Sequence, residues 1–112
     1  MKLNLLIMCL LLLSCSNNNV SNVEIIPKNK FIQILKDIHL VEADYEINKS
    51  KGEEKAKENL YIDYHKIFLN YNITKRLFSN TMSYYSNNPN QLEEIYSLTL
   101  QKISAEQDSQ YD

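Results

Sequence analysis

From Phe31 onward, apolar side chains return every three or four positions. Phe31, Ile34, Leu35, Ile38, Val41 and Tyr45 follow the i, i+3, i+4, i+7 spacing of one helix face and predict a first amphipathic helix over roughly 28–48. Ahead of it, Glu24-Ile25-Ile26 is read as extended, because a residue before proline avoids the α region, and Pro27 suits the start of a helix. Lys49-Ser50-Lys51-Gly52 breaks the pattern with the one glycine of the chain. A second stripe, Leu60, Tyr61, Tyr64, Ile67, Phe68 and Tyr71, predicts a helix over roughly 53–70. Its first half carries Glu53, Glu54 and Glu58, where carboxylates favour the positive end of the helix dipole. Asn70-Tyr71-Asn72 reads as its stop, since Asn tolerates the left-handed backbone of a helix end.

Thr74 is the expected N-cap of a third helix over about 75–86, with Leu77, Phe78, Thr81, Met82 and Tyr85 on its apolar face. Ser86-Asn87-Asn88 ends it. Asn88, Pro89 and Gln91 then stand as cap, first helical residue and reciprocal cap partner, a capping-box arrangement for a fourth helix. Leu92, Ile95, Tyr96, Thr99 and Ile103 line one face of that helix, roughly 89–105. The polar residues 106–112 are expected to fray. No alternating segment of useful length and no internal repeat interrupts this series. The expected fold is all-α: a small bundle of about four amphipathic helices over residues 27–105.

The pattern before residue 27 differs in kind. Met1-Lys2 supplies one positive charge, and Leu3 to Leu13 is nearly continuous hydrocarbon, broken by Asn4 and Cys9. A charged start and an apolar run of about ten residues is the secretory leader pattern. The run is too short for a permanent span, which needs about 20 apolar residues. Leu12-Leu13-Ser14-Cys15 resembles a bacterial lipobox, with an aliphatic residue at −3, a small residue at −1 and Cys as the first mature residue. That resemblance implies cleavage between Ser14 and Cys15 and a diacylglyceryl group on the Cys15 sulfur. The chemistry requires a thiolate as nucleophile, and Ser14 must be small to admit the peptidase. The alternative is an ordinary leader with a chance Cys beside it. Residues 1–14 are thus read as a cleaved leader, and 15–26 as the lipidated Cys and a flexible Ser/Asn-rich tether. Two or three acyl chains suffice for lasting attachment, so the chain is expected at a membrane without spanning it. Acidic residues just after the Cys mark surface export in similar lipoproteins. Ser16-Asn17-Asn18-Asn19 has none, which points to the outer membrane facing the periplasm.

Composition narrows the function classes. At 112 residues the chain is too short for a doubly wound nucleotide-binding fold or a TIM barrel, and one Gly leaves no Gly-rich phosphate loop. The net charge of −2 offers no basic field for nucleic acid. With Lys2 removed, eleven basic against 14 acidic residues leave −3, which gives no attraction to anionic headgroups. Of two Cys, Cys9 lies in the leader, so the mature chain has no intrachain disulfide.

Candidate chemistry is sparse. His39 and Glu42 stand at i, i+3 on the first helix, the spacing of di-metal bundle ligands in reverse order. With His65 they are weak metal candidates. Solvated or core-edge polar residues explain the set equally, and no metal or other cofactor is expected. Asp37, beside the buried stripe, is expected to hydrogen-bond a Tyr hydroxyl or cap a neighbouring helix rather than act in acid–base work. Eight Tyr are many for this length. Most suit a thin bundle's boundary, with ring buried and hydroxyl wet. Tyr84 and Tyr85 are about 100° apart on a helix, so one of them is expected to face solvent, as part of a protein-binding surface.

The run from Ile26 to Ala43, the stretch Tyr64 to Thr74 with Leu77-Phe78, and Tyr84 to Pro89 followed by Leu92, Ile95 and Tyr96 resemble a family of short Bacteroidota lipoproteins, a helical domain of unknown function. The likeness covers roughly residues 24–103. It implies the helical fold and the lipid anchor and carries no catalytic residues. Two roles stay open: a non-catalytic envelope lipoprotein binding another protein, as an assembly or chaperone-like subunit, or a lipoprotein holding a small ligand or metal between its helices.

Overall fold

A computed structural model describes residues 23–111. Four helices follow in order: α1 (Lys28–Asn48), α2 (Glu53–Asn70), α3 (Lys75–Ser86) and α4 (Pro89–Tyr111), with a single 3₁₀ turn, Lys49–Lys51, between the first two. There is no strand among the described residues. The fold is the all-α bundle that the periodicity predicts.

The turns have identifiable local causes. Asn72 is the one described non-glycine residue with positive φ, at 53°, and it stops α2. Its N–H donates to Leu69 O and that of Ile73 to Phe68 O, which satisfies carbonyls the helix leaves open. Thr74 caps α3, its hydroxyl accepting from Leu77 N at 3.0 Å. Asn88 behaves otherwise than its capping-box position predicts. Its side-chain amide donates backward to Tyr84 O at 2.8 Å and so ties off the end of α3.

α1 is the central element. It packs against α2 on one flank and α4 on the other, while α3 packs against α4. Tyr64 meets Glu42 and Tyr71 meets Asp37, so α1 and α2 run antiparallel. Lys28 pairs with Glu94 and Lys36 with Glu106, so α4 runs in the same sense as α1. The core gathers at the start of α1, where Phe31, Ile32 and Ile34 are at most 1% exposed. Phe31 stacks on Tyr85 at 5.5 Å between ring centroids and meets Phe78 at 5.8 Å. Those rings bring α3 across the base of α1, a contact contributing about 0.5–1.5 kcal/mol per aromatic pair beyond burial.

Two expectations from sequence are corrected. Ile26 is not tether. It is 1% exposed and belongs to the core with Phe31, Ile34 and Ile95. Its N–H donates to the Thr81 hydroxyl at 2.9 Å, and that hydroxyl donates in turn to Leu77 O at 2.8 Å. The extended backbone ahead of Pro27 leaves the Ile26 N–H free for a partner outside any helix, and fully buried Thr81 supplies it. The second correction concerns the tail. α4 continues through Tyr111 instead of fraying after residue 105. Ala105, Glu106 and Gln107 are good helix formers, and Glu106 is held by Lys36 Nζ at 3.3 Å.

The stripes also carry more than one face. Ile32 and Ile73 are buried although neither falls on the predicted apolar set, and Tyr61, on the predicted set, is 67% exposed. α1 has a partner on either flank and therefore buries a wider arc than one stripe. α2 has a helix on one flank only.

The pinned lead-in has a direct test. Thr81→Val removes the acceptor of a buried N–H and is expected to destabilise by about 1–3 kcal/mol, whereas Thr81→Ser keeps the oxygen and is expected to recover much of it. Ile26→Ala is expected to cost about 2–5 kcal/mol through lost burial and a residual cavity. Urea unfolding of the three variants checks both figures.

Candidate functional site

Because α3 crosses the base of α1 and does not lie along α2, the bundle is left open on one side. The opening is a groove of about 740 Å³ to which all four helices contribute. Leu35 and Ile38 of α1, Phe68 of α2 and Phe78 and Met82 of α3 form its apolar floor. Phe68 and Phe78 close one end, their centroids 5.4 Å apart. The rim is polar and aromatic, with His39 and Glu42 from α1, Tyr61, Tyr64 and His65 from α2, Lys75 and Ser79 from α3, and Tyr96 from α4. A smaller hollow of about 480 Å³ continues past Glu42 toward Tyr45 and Glu46.

The three candidate metal ligands, His39, Glu42 and His65, thus line the same groove. They are not a metal cluster: among the described residues, no group of three His, Cys, Asp or Glu side chains stands close enough to hold an ion. Glu42 is engaged otherwise. Its carboxylate accepts the Tyr64 hydroxyl at 2.8 Å. That bond fixes the rim between α1 and α2 and leaves His39 and His65 as separate polar points.

Asp37 faces the other side of α1. It accepts the Tyr71 hydroxyl at 2.5 Å, and Lys36 stands 3.5 Å from Asp37 and 3.3 Å from Glu106. The four side chains tie α1, α2 and α4 together. Asp37 has the structural partner, a tyrosine hydroxyl, that its place beside the core suggests.

Tyr84 and Tyr85 divide as helix geometry requires. Tyr85 is 5% exposed and stacks on Phe31, and Tyr84 is 43% exposed and meets Tyr85 edge to face at 5.1 Å. Neither lines the groove. Its tyrosines are Tyr61, Tyr64 and Tyr96, which sequence reasoning placed in the core stripes. The overlooked signal is the width of the α2 stripe, where Tyr61 and Phe68 lie well round the helix from Ile67 and Tyr71. The lipidation and cleavage residues Cys15 and Ser14 lie outside the described residues.

Two hydroxyls in these ties titrate late. Burial, then the hydrogen bond to Glu42 and that carboxylate's charge, raise Tyr64 from the ordinary 10.0 to about 12. Burial and the Asp37 contact raise Tyr71 likewise to about 12. A raised pKa means that the folded chain holds the proton more tightly than the unfolded chain. The contribution is therefore complete below pH 10 and is lost as pH rises toward 12. In an alkaline titration followed by tyrosinate absorbance, Tyr64→Phe and Tyr71→Phe are each expected to remove one late-ionising group. Each is also expected to flatten the fall in stability across that window, as read by thermal melts at stepped pH.

No curated protein and no solved structure matches the chain. Residues 23–109 match a family model described as Domain of unknown function (DUF4296). Its span takes in all of α1, α2 and α3 and nearly all of α4, and the chain belongs to that family.

Proposed function

We propose that the chain is a non-catalytic, lipid-anchored envelope lipoprotein that binds another protein through the groove between its helices. The observation that carries this reading is the groove itself: an apolar floor left uncovered by the chain's own helices and edged by tyrosines. Aromatic residues beside a desolvated hollow are the usual makings of a protein-binding surface. The pattern of Lys2, Leu3 to Leu13 and Ser14-Cys15 supports the anchor, and the lack of acidic residues over Ser16-Asn17-Asn18-Asn19, just after Cys15, supports an outer-membrane position facing the periplasm. No described helix is long and apolar enough to cross a membrane. In this role the protein acts as an assembly or chaperone-like subunit held close to lipid.

A small apolar ligand in the same groove is the second reading. Its support is the volume, which lies within the roughly 300–1,000 Å³ typical of ligand sites. The exposed rim favours the larger partner.

Cys15→Ser is expected to abolish incorporation of a radiolabelled fatty acid and to release the protein from membranes. Full incorporation into that variant overturns the anchor. A photo-reactive residue at Tyr61 is expected to give one discrete protein crosslink in native membranes, and one at exposed Lys66, on the far face of α2, is expected to give none. Equal labelling from Tyr61 and Lys66 overturns the groove as the binding face.

A further inference from the structure

We infer that the groove receives one amphipathic helix of a partner protein, lying along α1 with its amino-terminal end at Glu42 and an acidic carboxy-terminal end at Lys75. The inference rests on the protein-binding reading above and names the partner's chemistry.

The first support is the surface of α2. At about 100° per residue, Leu60, Tyr64, Ile67 and Tyr71 share the face turned to α1. Tyr61, His65 and Phe68 share the next, which forms the groove wall. Ile62 and Leu69, 52% and 66% exposed, lie about 180° from the residues that face α1, outside the groove. Tyr61, His65 and Phe68 follow the i, i+4, i+7 spacing of one helix face, and all three line the groove. Phe68 is half-buried against Phe78, while Tyr61 and His65 are exposed. A small ligand seated on the floor would leave Tyr61, 67% exposed on the rim, in water. A helix laid along α1 and against α2 would cover Tyr61 and His65 together.

The second support is length and charge. Leu35 to Glu46 is eleven steps along α1, or roughly 16 Å of groove and adjoining hollow, the length of about three turns of a partner helix. The ends carry opposite charge. Glu42 lies beside Tyr64, and Lys75 lies one turn from Phe78, which packs on Phe68 and Phe31 at the closed end. Lys75 takes part in none of the described ion pairs. A helix has a positive amino-terminal and a negative carboxy-terminal end, so one polarity satisfies both residues.

The test uses the purified full chain in detergent and three capped, fluorescently labelled peptides of about three turns. One has leucines at i, i+3, i+4 and i+7 with two lysines in its first turn and two glutamates in its last. The second exchanges those charges end for end. The third is a scramble of the first. Anisotropy is expected to show the first peptide binding about tenfold tighter than the second. Lys75→Glu is expected to invert that preference. It endangers the fold little, since an acid suits the start of α3. Tyr61→Glu, at an exposed site on the groove rim, is expected to weaken both charged peptides about tenfold. Binding of the scramble at equal strength, or an unchanged preference in Lys75→Glu, overturns the inference. So does laurate binding where no peptide does, or self-association of the chain that Tyr61→Glu abolishes. If no peptide binds but Tyr61 still crosslinks a protein in native membranes, the helix is wrong and protein binding stands. If no peptide binds and no crosslink forms, both fall.

Discussion

The buried Thr81 hydroxyl determines where the chain joins the bundle. It accepts from the Ile26 N–H and donates to Leu77 O, and the residue has no exposed surface. A buried backbone N–H without a partner is strongly unfavourable, so Ile26 has little freedom to leave. With Ile26 held, Pro27 starts α1 at a fixed point, and Phe31 falls between Phe78 and Tyr85. The crossing of α3 under α1 follows from those contacts. Since α3 is committed there, it cannot also run alongside α2, and the groove is the consequence.

Local periodicity made the helices and most of their ends legible. The stripe from Phe31 to Tyr45, the cap at Thr74 and the left-handed Asn72 are all encoded within a few residues of where they act. What the sequence left unread depends on partners distant along the chain. Ile26 lies 55 positions from Thr81, so its burial has no local signal. The continuation of α4 past residue 105 depends partly on Lys36 of α1, which holds Glu106. Tyr61 and Tyr64 sit on one predicted stripe, yet only Tyr64 reaches α1. A periodic stripe tells which residues avoid water. It does not tell how much of the arc the rest of the chain will cover.

The two sides of α1 are treated differently. On one, Asp37, Tyr71, Lys36 and Glu106 form a continuous polar tie among three helices. Its ion pairs are partly exposed and individually weak. The network gains from the short, partly buried bond between Tyr71 and Asp37, and it sets the register of α2 and α4 on α1. On the other side a single bond, Tyr64 to Glu42, holds the rim, and the space below it is apolar and open. Rigidity on one flank thus supports an accessible surface on the other, which is the arrangement that pre-organised binding calls for.

The same partnerships bear on the proposed non-catalytic role. General acid–base work requires a carboxylate or imidazole aimed at a reacting atom and poised by its neighbours. In this bundle Asp37 and Glu42 are each engaged by a tyrosine hydroxyl, on different sides of α1. The groove imidazoles have no carboxylate set around them that would bind a metal, among the described residues. What the groove offers is apolar area with charge at its ends, and such a surface favours one partner and one orientation over others. Tethered to a membrane through Cys15, as proposed, it would meet partners confined to the same surface. Modest affinity would then suffice, because attachment supplies the effective concentration that a larger interface would otherwise provide.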